Sequence, residues 1–282
     1  MTLPLEITAD FSAQNARALA QASRWAYVMK PDIEGVLSDS QAIFFDAGNA
    51  YVLAFRGTTD IKDWLTDCKF LLRPALDFEG KIHDGFYDAM MDIQKDVGVL
   101  VTGAMMTQPK PLFITGHSLG GALANLFANF LAGHNVNVQA VYTFGQPRVG
   151  DRKYAASYNS KLGSRTYRLA YENDLVPHVP LPGLLLRYLQ NKNEVMVCDH
   201  YQGIPHLQFN RPIEQKLFWD GVMLVRAWRL LGKCQGNPIL LPLALIAEVK
   251  ANHSIENYIA KLNSISTDTA TPLEMEAISQ PA

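Results

Sequence analysis

Between Ala42 and Tyr171 short apolar runs alternate with stretches of helical spacing, and this alternation limits the chain more than any other feature. Ala42 to Asp46 and Tyr51 to Phe55 read as strands joined by a turn at Ala47-Gly48-Asn49. Asp84 to Met106 reads as helix, Leu112 to Thr115 as a strand between Pro111 and Gly116, and Leu119 to Leu131 as helix. Val138 to Phe144 is a further buried strand, Arg152 to Leu162 a helix and Arg165 to Tyr171 a strand. Strands that alternate with helices imply an α/β class, a mostly parallel central sheet covered on both faces. Ahead of this block, Leu19, Ala22, Trp25, Ala26 and Met29 recur at helical spacing over Ser12 to Met29, and Pro31 stops that helix.

After Asp174 the alternation degrades, because Pro177, Pro180 and Pro182 interrupt the chain. Residues 184–250 read as a cap or insertion, in which Leu217 to Leu231 is apolar nearly all round and suits a helix buried against the sheet. Residues 266–282 begin Ser-Thr-Asp-Thr-Ala-Thr-Pro and read as a poorly ordered tail. A length of 282 residues with 48% hydrophobic and 18% charged residues supports one large core rather than a disordered chain. The 25 basic and 27 acidic residues leave a net charge of −2, so no basic field for nucleic acid exists. Cys68, Cys198 and Cys234 lack paired spacing, and neither a disulfide framework nor a structural zinc site is expected. The start, Met-Thr-Leu-Pro-Leu-Glu, carries no basic and apolar leader, which predicts a cytoplasmic or non-classically secreted protein. The greasiest run, Ile239 to Val249, is too short to span a bilayer.

The chemistry centres on Gly116-His117-Ser118-Leu119-Gly120, a G-x-S-x-G between a predicted strand and a predicted helix. With Gly at roughly 7% of residues, the bare pattern arises by chance in about one chain in ten of this length. Its position at a strand-to-helix turn is what gives it weight. There the glycines leave room for a tight reversal, and the helix N-terminus directs N–H groups at an oxyanion formed beside Ser118. A serine nucleophile needs a base, and the base needs an orienting carboxylate, in the chain order Ser, Asp, His for this type of turn. Asp174, just beyond the strand ending at Tyr171, emerges at the same sheet edge as Ser118 and is preferred over Asp151 and Asp199. Asp151 reads better as a helix N-cap. For the base, His253 ahead of a final helix competes with His200 and His206 in a loop-rich region. His178 follows Asp174 too closely to arch over Ser118, and His117 and His83 read as packing residues.

Six ordered blocks carry a family resemblance: Phe55-Arg56-Gly57-Thr58, Asp63-Trp64-Leu65-Thr66-Asp67, His83-Asp84-Gly85-Phe86, Gly116 to Ala124, Thr143 to Gly150, and Asn173-Asp174-Leu175-Val176-Pro177. Together they resemble the class 3 lipases, the fungal-lipase-like branch of the α/β-hydrolases, from about Tyr51 to Pro180. The segment His253-Ser254-Ile255-Glu256-Asn257-Tyr258 is similar to the one bearing that family's base. The resemblance implies an α/β-hydrolase domain over 1–265, with Ser118 as nucleophile, Asp174 as orienter and His253 as base. It implies backbone oxyanion donors at Thr58 and Leu119 and a short lid bearing Ile61, Trp64 and Leu65, with Asp63 and Asp67 flanking the tryptophan. The implied activity is hydrolysis of acylglycerols or related lipid esters at a lipid surface, without cofactor or metal. Phospholipase A1 or short-chain esterase activity is the near alternative, and a catalytically silent lipid-binding protein the distant one. The 79 positions between Asp174 and His253 depart from the family, which usually needs fewer.

Overall fold

The structure, a computed structural model, describes residues 2–8, 10–58, 71–171, 174–179, 188–189, 194–198, 206–209 and 252–265, with the backbone alone for 188–189, 194–198 and 206–209. Helix α1 (Ala13–Val28) starts where the Ser12 hydroxyl accepts a hydrogen bond from the Asn15 N–H at 3.0 Å, satisfying one donor that a helix start leaves open. Strands β1 (Ile33–Glu34), β2 (Gln41–Asp46) and β3 (Tyr51–Phe55) form an antiparallel meander. After the hairpin β4 (Leu72–Pro74) and β5 (Lys81–His83) comes α2 (Asp84–Thr107). Then follow β6 (Leu112–His117), α3 (Leu119–Gly133), β7 (Val138–Phe144), β8 (Gly150–Asp151), α4 (Arg152–Leu162) and β9 (Thr166–Tyr171). Strands β10 (Tyr188–Leu189), β11 (Glu194–Cys198) and β12 (His206–Phe209) and helix α5 (Ile255–Ser264) complete the described elements.

The main sheet has the order β1-β2-β3-β6-β7-β9-β11-β12, with β3, β6, β7, β9 and β11 parallel and the two edges antiparallel. Period-two alternation sends Leu53, Phe55, Ile114 and Val141 to one face, where α2 and α3 cover them. Val52, Ala54, Phe113, Tyr142 and Phe144 face the other side, beneath α1 and α5. Because both faces are covered, β3 and β6 are buried along their whole length, as their near-continuous apolar runs require.

The predicted elements from α1 to β9 match the observed ones to within one or two residues. The second, four-stranded sheet, in the order β10-β8-β5-β4, has no counterpart in the sequence reading. Its strands are two or three residues long, too short for an alternation to register. Residues 184–250, read as cap or insertion, contribute β11 and β12 to the main sheet. The helix expected over Leu217 to Leu231 and the tail 266–282 lie outside the described residues. Among the described residues, no helix is long and apolar enough to cross a membrane.

Ser12 is buried, and its hydroxyl is also bonded to Glu6, so the α1 cap sits in an enclosed polar cluster. Ser12→Ala is expected to lower the unfolding free energy by about 1 kcal/mol. A denaturant titration reads this as a lower midpoint at an unchanged slope.

Candidate active site

The main sheet delivers its parallel strands to one edge, and the sequence-predicted residues collect there. Ser118 stands between β6 and α3 with φ 58° and ψ −128°, a left-handed conformation that costs a non-glycine residue about 1–3 kcal/mol. The turn persists because its neighbours permit no other path. The Ser118 N–H donates to the Phe144 carbonyl at 2.9 Å, and the Ser118 carbonyl accepts from Gly121 N–H at 2.9 Å. A Cβ at Gly116 would lie 2.1 Å from the Gly120 carbonyl oxygen, and one at Gly120 would lie 2.2 Å from that of Phe55. Both glycines are therefore demanded by close backbone approach. Leu119 is the first residue of α3, and Thr58 follows Gly57 at the end of β3. A Cβ at Gly57 would come within 3.2 Å of the Ser118 Cβ, so the backbone that leads into Thr58 runs directly beside the serine.

Asp174 has no exposed surface. Its Oδ1 accepts from the Val176 N–H at 2.9 Å, and its Oδ2 accepts from the Tyr258 hydroxyl at 2.8 Å and meets His253 Nδ1 at 2.6 Å. His253 directly precedes Ser254, whose hydroxyl caps α5 by accepting from the Asn257 N–H. With Nδ1 turned to the carboxylate, Nε2 is buried and has no hydrogen-bond partner among the described residues. The Ser118 hydroxyl is thus not bonded to the ring in this structure, a looseness common in active sites without substrate. The two halves of the site meet through His117, whose ring stacks on that of His253 with centroids 4.5 Å apart.

Among the described residues, the other histidines considered for the base stand elsewhere. His206 lies on β12, four strand spacings or about 19 Å from the strand that leads to Ser118. His178 is buried in the short turn 176–178, where its carbonyl accepts from Arg148. His83 stacks on Phe86 at 4.2 Å, and burial pushes its imidazole down to about 4. Asp151 caps α4 by accepting from the Tyr154 N–H at 2.9 Å. His200, Asp199 and the expected lid residues Ile61, Trp64 and Leu65, with Asp63 and Asp67, lie outside the described residues. Among the described residues, no cluster of three or more His, Cys, Asp or Glu is arranged to hold a metal ion.

Sequence reasoning missed three contributors. Tyr258 donates to Asp174 while accepting from the Tyr171 N–H at 3.0 Å; burial and the adjoining carboxylate hold its phenol well above the ordinary range, so it remains a donor. It is the last residue of the His-Ser-Ile-Glu-Asn-Tyr segment, which was its available signal. Gly145, directly after β7, adopts φ +60°, and a Cβ there would lie 2.6 Å from His253 Cε1 and 2.9 Å from Asp174 Oδ2. Tyr27, at the end of α1, reaches His117 Nδ1 at 2.9 Å.

Two expectations follow from this geometry. Gly145→Ala should cut kcat by roughly 10²-fold, because displacing a catalytic group by about 1 Å carries that cost; steady-state kinetics on a soluble ester check it. The second concerns pH. Burial holds both His83 and His117 below the ordinary imidazole value of 6.5, so the folded protein refuses protons that the unfolded chain accepts. Stability is then fully present above pH 6.5 and declines as pH falls towards 4. Urea midpoints across that window should fall, and His83→Phe should make the fall shallower.

The sequence pattern of the family described as lipase (class 3) matches residues 52–183. A lipase from Rhizomucor miehei is 34% identical over 161 residues, covering 55% of this chain and 44% of its own length. The secreted mono- and diacylglycerol lipase 1 of Fusarium solani is 31% identical over 181 residues, covering 58% of this chain and 53% of its own. This chain spans about half the length of these curated relatives. The solved structure of lipase II from Rhizopus niveus superposes with a TM-score of 0.59 at 26% identity, over 65% of this chain and 80% of that one. The expectation of a cytoplasmic or non-classically secreted protein is overturned by the secreted fungal relatives, because a missing leader in the sequence at hand was its only basis. The architecture is the α/β-hydrolase fold, and residues 52–183 match the pattern of the class 3 lipase family.

Proposed function

We propose that this protein hydrolyses carboxylic esters of the acylglycerol type through an acyl-enzyme, with Ser118 as nucleophile, His253 as base and Asp174 as its orienter. The observation that carries this reading is the His253 ring, anchored by Nδ1 to the buried carboxylate, stacked on the residue before Ser118, and left with a buried Nε2 that has no partner among the described residues. A buried nitrogen without a partner is costly unless a reacting group engages it. The lipases of Rhizomucor miehei and Fusarium solani support the lipid-ester substrate class.

The Ser118 oxygen attacks the ester carbonyl while its proton passes to His253 Nε2. Asp174 holds the imidazole with Nδ1–H toward the carboxylate and stabilises the imidazolium that forms. The tetrahedral oxyanion is received by the backbone N–H groups of Thr58 and Leu119, the second at the positive end of α3. Collapse breaks the bond to the alkoxy oxygen, and His253 returns the proton to the departing alcohol. Water then attacks the acyl-serine with His253 again accepting a proton, and the free acid leaves.

Ser118→Ala and His253→Ala should each lower kcat by roughly 10⁴-fold or more, and the double variant should be hardly worse, since members of one catalytic unit are strongly non-additive. The measurement is hydrolysis of emulsified triacylglycerol, phospholipid and a soluble nitrophenyl ester side by side, with fluorophosphonate labelling of Ser118. Turnover of phospholipid alone would reject the acylglycerol assignment. Near-normal turnover by His253→Ala would reject the base.

A further inference from the structure

Two imidazoles stacked in a protein interior cannot both be cationic without strong repulsion, and His253 must become cationic in each half of the proposed reaction. His117, enclosed beneath it, therefore has to stay neutral. Burial and the adjoining His253 both hold the His117 imidazole well below its ordinary range. Its tautomer is set by Tyr27. The Tyr27 hydroxyl oxygen lies 2.9 Å from His117 Nδ1, and the Gly57 backbone passes directly beside the same hydroxyl. The hydroxyl has one hydrogen to give, and donated to Nδ1 it leaves the neutral ring with its proton on the other nitrogen. Burial pushes the Tyr27 phenol upward, which keeps that hydrogen in place. His117 is then the neutral ring with its proton on Nε2. A Cβ at Gly57 would lie 2.2 Å from the Tyr27 hydroxyl and 2.6 Å from the His117 carbonyl oxygen. One hydroxyl thus ties the backbone leading to Thr58, the residue before Ser118 and, through a ring face, His253.

We propose that Tyr27 and His117 form a positioning pair: the Tyr27 hydroxyl locks His117 as a neutral ring, and that ring fixes the plane of His253 while the same hydroxyl holds the Gly57–Thr58 turn beside Ser118. The pair rests on the ester-hydrolase reading above, and neither residue touches the reacting atoms. Its loss therefore disturbs alignment in the transition state while leaving substrate binding in place, so the effect falls on kcat and not on KM.

The test measures kcat and KM on a soluble nitrophenyl ester, the rate of fluorophosphonate labelling, and the melting temperature, for wild type, Tyr27→Phe, His117→Phe, His117→Asn and the double Tyr27→Phe/His117→Phe. Tyr27→Phe and His117→Phe each remove the hydrogen bond and keep a ring. Each should lower kcat and labelling rate about tenfold with KM within about twofold, and the double should be no worse than either, because both delete one shared link. His117→Asn keeps an acceptor near the Nδ1 position and removes the ring face, and its loss should approach a hundredfold. Wild-type kcat and labelling in folded Tyr27→Phe would overturn the pair, whatever the His117 variants do. Losses that multiply in the double, or that merely track the melted fraction, would also overturn it. A wild type inert to both ester and phosphonate would bring down the ester-hydrolase reading itself, whereas an active wild type with unaffected variants removes the positioning pair alone.

Discussion

The Asp174 carboxylate is the constraint around which the carboxyl edge of the sheet is organised. A charge with no exposed surface costs several kcal/mol unless every lone pair finds a donor. Among the described residues the donors come from three places: the Val176 amide two residues on, the Tyr258 hydroxyl within α5 and the His253 ring just before α5. Satisfying one carboxylate therefore docks α5 onto the end of β9 and orients the imidazole in the same step. The Tyr258 hydroxyl extends the link by accepting from the Tyr171 amide, in the last residue of β9. Without His253 and Tyr258 the carboxylate would keep, among the described residues, one backbone partner. Without the carboxylate, Tyr258 would be a buried phenol lacking its acceptor.

Strain at Ser118 is the complementary feature. A left-handed serine persists only where the surroundings exclude the relaxed alternatives, and here the contacts are backbone on backbone. The first turn of α3 presses on the end of β3 at Gly120, and β6 presses on α3 at Gly116. Gly145 extends this crowding to the other half of the site, because the end of β7 passes close to both His253 and Asp174. The serine, the carboxylate and the imidazole are thus spaced by main chain, which is stiffer than side-chain packing alone.

What could be read from the sequence divides along physical lines. Elements buried on both faces, such as β3, β6, β7 and α3, announce themselves through unbroken apolar runs, and their bounds hold to within a residue or two. Ser118 was legible because a strained turn needs glycines at fixed spacing, and Asp174 because it follows a strand directly. Spacing favoured His253 but left His200 and His206 open, since nothing local records which loop meets Ser118 across the fold; the family resemblance strengthened that preference. Tyr27 was invisible as a site residue, and Tyr258 was marked by its place in the His-Ser-Ile-Glu-Asn-Tyr segment alone, because a tyrosine at helical spacing looks the same whether it fills a core or donates a buried hydrogen bond. The two-residue strands β8 and β10 are too short to leave a pattern. His117 was read as packing; its ring does pack, but on the imidazole of His253.

The matched segment 52–183 and the assembled site are not the same unit. That segment contains Thr58, Ser118, Leu119, Gly145 and Asp174, but the proposed base, just before α5, and its tyrosine, within α5, lie beyond it. What holds α5 in position is α1, which lies before the segment: the Arg17 guanidinium donates to the Leu262 and Ile265 carbonyls at 2.9 and 2.7 Å, so the last turn of α5 is tied to α1. Those carbonyls are among the acceptors a helix end leaves open, and a cationic donor is the partner they favour. Helix α1 also carries Tyr27 to the turn beside Ser118. Two terminal helices on one face of the sheet, joined by Arg17 and covering Val52, Phe113 and Phe144, thus close the site from behind. The central strands supply the proposed nucleophile and the buried carboxylate at a common edge, and the pair α1–α5 completes the proposed site by bringing in an imidazole with one nitrogen anchored to that carboxylate.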